Sequence, residues 1–200
     1  MKLRLVTMIL LGVLLTGCTQ NTENVEEATV GTLQTEAQTL MEEVSQSEEQ
    51  AEEPYIVSFE ANTIDGEEYS SDAFSQSRLT MINVWATYCN PCLSEMPDLG
   101  EIATEYDSAE LQMIGVISDV AETAAEDDIK NAKELIEQTG AQYQHLLLSE
   151  SLYTNLVGGV NSVPTTFFVD QEGKMLGYAM GAQSKEAWVS IIEDLLSKCD

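Results

Sequence analysis

The chain has 200 residues, enough for one domain with a sizeable core and not comfortably for two. Thirty-five Asp and Glu stand against eight Lys and Arg, a formal net charge of −27. Such a chain repels a phosphate backbone, which argues against nucleic-acid binding; the plain reading of the charge is solubility and suppressed association, so a monomer is expected.

Residues 1–17 read as a signal peptide. Lys2 and Arg4 make a positive start, and residues 5–15 form an apolar run too short for a comfortable membrane span. The run ends at Leu15-Thr16-Gly17-Cys18, which resembles a bacterial lipobox. That implies cleavage before Cys18 and a lipid on its sulfur, holding the protein to a membrane. The alternative is a weak transmembrane anchor with an incidental cysteine. Either way the remaining chain is expected outside the cytoplasm, where disulfide chemistry is permitted.

Residues 18–53 read as the lipidated cysteine and an acidic tether. Positions 19–53 hold ten Glu, no Lys or Arg and no aromatic residue. This composition cannot bury enough apolar surface to fold alone. Val30, Leu33, Ala37, Leu40 and Val44 recur at helical spacing, but over too short a stretch for a coiled coil.

The folded domain is expected over 54–200. Ile56, Val57 and Phe59 predict a strand, Asp65-Gly66 a hairpin turn, and residues 67–69 its return. The unbroken apolar run 79–86 (LTMINVWA) predicts a strand buried on both faces. A helix is expected from the Cys89–Cys92 turn past Ile102, and a second buried strand over 111–117. Residues 127–139 carry Ile129, Ala132, Leu135 and Ile136 at helical spacing, with Gly140 as the stop. A short strand at 143–148, a short helix at 152–157, a strand at 165–169, a turn at 171–174 and its hairpin partner at 175–180 follow. Ser184 caps a last helix reaching Leu196. Strands alternating with helices imply an α/β domain with helices on both faces of a buried sheet.

The chemistry centres on Cys89-Asn90-Pro91-Cys92, a C-x-x-C at a strand-to-helix junction. At a helix N-terminus, free backbone N–H groups and the macrodipole favour an anion, so Cys89 is expected as a nucleophilic thiolate. Cys92 lies one turn deeper, able to attack a mixed disulfide on Cys89 and release the product. Pro91 pre-sets a helical φ. A zinc site is the first alternative, but zinc wants four ligands; there is no second C-x-x-C, and His145 is the only histidine. A purely structural disulfide is the second.

The segment Trp85-Ala86-Thr87-Tyr88-Cys89-Asn90-Pro91-Cys92 resembles the thioredoxin superfamily motif. With Glu95 and Pro97 it takes the form C-x-P-C-x-x-E-x-P, similar to the TlpA/ResA-like branch of membrane-tethered extracytoplasmic thioredoxins. The resemblance covers roughly 54–197. It implies a thioredoxin-like three-layer α/β/α fold with a central mixed sheet, an N-terminal β-hairpin and an inserted αβ segment. It also implies a cis peptide before Pro164, in Val163-Pro164-Thr165-Thr166, with the Val163 backbone pairing an extended client segment. A trans turn is the alternative. Trp85 is expected at the rim of the site, contacting partners, with a core position as the alternative. Asn90 and Pro91 would touch the client and tune the potential.

Glu95 shares a helix face with the cysteines and is the candidate acid–base group for Cys92; the bland alternative is an exposed first-turn glutamate. Cytoplasmic thioredoxins place a buried acid on the preceding strand, where this chain has Asn83, which cannot titrate. Pro97 is expected to kink its helix. His145 is expected to pack or hydrogen-bond within the domain, and Cys199 is given no role. The resemblance implies a reductase of disulfide-containing client proteins, such as apocytochromes c or methionine sulfoxide reductases. It would be fed by a membrane donor of the CcdA/DsbD type and need neither metal nor organic cofactor. A disulfide-forming oxidase, a metal or haem chaperone and a peroxidase are the rivals. Asn90-Pro91, the cysteine spacing and the lack of a P-x-x-x-T-x-x-C run argue against each in turn.

Overall fold

A computed structural model describes residues 54–199; Cys18, the expected signal peptide and the expected tether lie outside the described residues. The elements are β1 (Glu60–Asn62), β2 (Glu68–Ser70), β3 (Leu79–Trp85), α1 (Asn90–Glu105), β4 (Leu111–Ala121), α2 (Glu126–Thr139), β5 (Gln144–Leu148), α3 (Glu150–Asn155), β6 (Thr165–Asp170), β7 (Met175–Met180) and α4 (Lys185–Leu196). Short 3₁₀ turns fill Ser71–Gln76 and Val157–Gly159. The main sheet has the order β5-β4-β3-β6-β7, with β5, β4 and β3 parallel and β6 and β7 antiparallel; β1 and β2 form a separate hairpin. This is the expected thioredoxin-like mixed sheet, and α2 with β5 is the inserted αβ segment.

The central strand β3 explains the layering. All seven of its residues are buried, as a strand covered on both faces requires. Leu79 and Met81 pack with Leu99 and Ile102 of α1 and Trp188 and Ile192 of α4. Ile82 and Val84 point the other way, into Phe59, Phe74, Leu152 and Val157. The period of two therefore aims Asn83 and Trp85 at the α1 face. Trp85 joins both cysteines, Met96 and Ile136 in a third cluster.

Several boundaries differ from expectation. The first strand lies at 60–62, not 56–59. Residues 55–57 run instead along the start of β7, where Met175 N donates to Tyr55 O at 2.8 Å and Val57 N to Gly173 O at 2.8 Å. At the opposite edge, Thr63 bridges Leu146 of β5. The leading segment thus crosses one face and covers part of both open edges, which would otherwise template unwanted pairing. β4 runs on to Ala121 through an irregularity after Ile117. α3 starts at Glu150 because Ser149 caps it, its Oγ accepting from Leu152 N at 3.0 Å. Gly140, in the left-handed region at φ 70°, ends α2 as expected. α1 continues through Pro97, which is exposed.

Candidate active site

Cys89 is the N-cap of α1, with Asn90 and Pro91 in its first turn. Its sulfur accepts the N–H of Cys92 at 3.2 Å, and the two cysteines form a disulfide. Cys92 is wholly buried and Cys89 nearly so, while Tyr88, Asn90 and Pro91 are exposed. The pair therefore sits at the head of the helix with only its leading edge open.

The loop before the pair is held from β4. Asp119 accepts the Thr87 N–H at 3.0 Å and the Thr87 hydroxyl at 2.5 Å, and Ser118 Oγ donates to Trp85 O at 2.9 Å. Sequence reasoning missed both residues. Their signal was two polar side chains at the end of an otherwise apolar strand.

Val163–Pro164 is a cis peptide, as the resemblance implies. Val163 packs against the cluster containing both cysteines. Among the described residues its backbone N–H and C=O make no hydrogen bond. A groove of about 270 Å³ adjoins it, lined by Tyr88, Ser118, Tyr153, Asn161, Ser162 and Val163 among others.

Glu95 is buried, 3% exposed, which sets aside the exposed first-turn alternative. Oε1 accepts from Asn83 Nδ2 at 3.1 Å, and Oε2 from the backbone N–H of Gln183 at 3.1 Å. Asn83 also donates to Thr166 Oγ1 at 3.0 Å. Desolvation raises the carboxyl pKa above its usual value; the Gln183, Asn83 and Trp188 donors oppose that shift, and Asp98 adds to it. Asn83, which cannot titrate, thus becomes the clamp of the group that can. Gln183 and Thr166 could not be read from the sequence, because only the fold brings 83, 95, 166 and 183 together.

Trp85 corrects an expectation. It is fully buried, so it backs the cysteine pair rather than rimming the site. The cause is a hydrogen bond from its indole N–H to His145 Nδ1 at 3.2 Å. An indole can only donate, so Nδ1 accepts, the ring proton sits on Nε2, and Nε2–H donates to Ala141 O at 2.9 Å. Burial holds this imidazole neutral, lowering its pKa to about 4 against a smaller opposing effect of Ala141. Tyr143 stacks on the ring at 4.5 Å between centroids. Gly115, paired with His145 in the sheet, leaves the space: a Cβ there would lie 2.1 Å from Nδ1.

A buried C-x-x-C disulfide at the head of a helix, with a cis-proline turn packed beside it on a mixed five-stranded sheet, defines a thioredoxin-fold domain. The AhpC/TSA family model matches residues 54–177, and the chain belongs to that family. The thiol-disulfide oxidoreductase ResA of Bacillus thuringiensis (strain Al Hakam) is 28% identical over 107 residues, covering 52% of this chain and 56% of that protein. The thiol:disulfide interchange protein DsbE of Haemophilus influenzae is 27% identical over 130 residues, 65% of this chain and 66% of that one. The chain thus spans little more than half the length of its ResA relative. A thioredoxin-family thiol:disulfide interchange protein from Chlorobium tepidum TLS superposes with a TM-score of 0.59 at 26% identity, covering 72% of this chain and 97% of the other. The resemblance to the ResA-like branch stands.

Proposed function

We propose that the chain is an extracytoplasmic thiol–disulfide oxidoreductase that reduces disulfides in client proteins. The observation that carries this reading is the buried Cys89–Cys92 disulfide at the α1 N-terminus, with a buried carboxylate one turn behind it. The names of the ResA and DsbE relatives support the same chemistry.

In the reduced form, the α1 N-terminus favours a thiolate on Cys89. That sulfur attacks the client disulfide, forming a mixed disulfide and releasing the first client thiolate, which takes a proton. The Cys92 thiol gives its proton to Glu95 and attacks Cys89 Sγ. The Cys89–Cys92 bond forms and the second client thiol leaves, reprotonated from Glu95. The client gains two electrons and two protons, and the protein dithiol loses them. The unpaired backbone at Val163 suits a client segment added as a short strand. Cys18 as a lipid anchor and a membrane donor of the CcdA/DsbD type complete the proposal, with Asn90 and Pro91 as contact residues beside the pair.

Insulin reduction with a thiol donor tests the activity; Cys89→Ser must abolish it. Equilibration with glutathione or dithiothreitol tests the direction. A potential near about −270 mV fits a reductase, whereas about −120 mV would overturn the reductive direction in favour of an oxidant.

A further inference from the structure

Four buried side-chain polar atoms have no hydrogen-bond partner among the described residues: Tyr69 Oη, Asn83 Oδ1, Tyr143 Oη and Trp188 Nε1. Buried polar groups are almost always paired, so each exception calls for a reason. Three of the four belong to residues that interact with one side chain, Glu95. Asn83 already donates to it. Trp188 is fully buried one turn into α4, its backbone N–H bonded to the O of Ser184, next to the Gln183 whose N–H holds Glu95 Oε2; its indole N–H is near enough to lower the Glu95 pKa without meeting hydrogen-bond geometry. Tyr143 packs against two clusters at once, one containing Cys92 and Met96 and the other Leu99 and Trp188. On the buried face of α1, Glu95 lies one turn beyond Cys92, beside Met96 and one turn before Leu99. The phenol lies close enough to Glu95 for the carboxylate charge to raise its pKa, and its ring is held by stacking on His145.

The composition of this shell is one-sided. Gln183, Asn83, Trp188 and Tyr143 bring N–H and O–H donors. Among the described residues no Lys or Arg bonds to the carboxylate; the nearby Lys185 directs its ammonium to Glu101 and Glu105. A donor shell without a cation favours the charged carboxylate without locking it in a salt bridge. A group that must take up and give back a proton needs that balance.

We propose that Trp188 and Tyr143 are positioning residues for Glu95, their indole N–H and phenol O–H completing the hydrogen bonding of the ionised carboxylate that receives the proton of Cys92. The inference rests on reading Glu95 as the proton acceptor. The charged or titratable neighbours on the packed elements are Asp98 and Cys92 on α1, Lys185 on α4, and Tyr143 with the neutral His145 behind it. Cys89 lies on the turn above. Among the described residues none of them has a hydrogen bond to the Glu95 carboxylate.

The test is the pH dependence of Cys92 attack on a preformed mixed disulfide, followed by stopped flow in the full-length protein. Trp188→Phe and Tyr143→Phe each remove a polar atom and keep an aromatic ring. Each is expected to move the acid limb up by about one pH unit, a tenfold slower rate below the midpoint with an unchanged plateau above it. In the Glu95→Gln background neither variant should shift the profile. Tyr143→Phe deletes a single oxygen, so it keeps the test meaningful where Trp188→Phe loses fold. If Glu95→Gln removes the acid limb but both aromatic variants leave it in place, the positioning roles are overturned while Glu95 keeps its own. If Glu95→Gln leaves the limb unmoved, Glu95 is not the proton acceptor and both readings fall.

Discussion

Glu95 and His145 lie behind the same cysteine pair and are almost equally buried, 3% and 1% exposed, yet their surroundings are built on opposite lines. Each ring nitrogen of His145 has one partner, Trp85 on one side and Ala141 on the other, and the space beneath it is emptied by a glycine. Both ring nitrogens are thereby satisfied, and burial keeps the ring neutral. Around Glu95 the shell holds more donors than its made hydrogen bonds use, and it includes unpaired polar atoms. A closed hydrogen-bond account marks a side chain that supports the fold. An open one fits the proton-transfer role proposed for Glu95.

The contrast can be broken from either side. Glu95→Gln should slow mixed-disulfide resolution by about a hundredfold, the lower end of general acid–base effects. The melting temperature should hold, because the amide keeps the shape and leaves no buried charge. A comparable loss of rate in His145→Gln, measured per folded molecule, would erase the distinction.

The pH dependence of stability should separate the two next. With a folded pKa of about 4 against an ordinary 6.5, His145 binds its proton more readily in the unfolded chain. Stability therefore falls as pH drops from 6.5 to 4, by about 3 kcal/mol, and changes no further below that window. Glu95, whose folded pKa is raised, has the opposite sign: its contribution weakens as pH rises through 4.5 toward the folded value. Urea unfolding of wild type and His145→Gln across pH 4–7 checks this. The variant should lose most of the His145 slope, and an unchanged slope would reject the neutral-histidine assignment.

Gly115→Ala should follow, at about 1–3 kcal/mol of stability, because the new methyl group overlaps the imidazole. Tryptophan fluorescence should report it as well, since Trp85 loses its acceptor when His145 is pushed aside. Lys133→Met serves as the control outside both regions. It breaks the exposed 2.8 Å pair with Asp65 that links α2 to the hairpin turn, and should change stability by less than about 1 kcal/mol.

Much of this protein was legible in its residues. The unbroken apolar run at 79–86, the C-x-x-C at its end, Gly140 after α2 and Ser184 before α4 are local signals. Each acts through backbone conformation or burial within a few residues, so a linear reading reaches them. Glu95 was legible too, because three residues along a helix is a fixed geometry. The first strand was misplaced for a different reason. Val57 and Phe59 are core residues that make single backbone bonds outside any strand, and an apolar pattern cannot tell that kind of burial from a strand's.

Only tertiary structure decided the rest. It put Trp85 in the core, because the acceptor that draws its N–H inward stands sixty residues away. It made Asn83 a clamp and Gln183 a donor, because four separate segments meet at one carboxylate. The sequence by itself determined the fold class, the reactive pair and the acid–base candidate, all written in short-range spacing. Which groups hold that acid, and whether a buried histidine works or merely supports, depended on contacts across the sheet, which spacing along the chain does not encode.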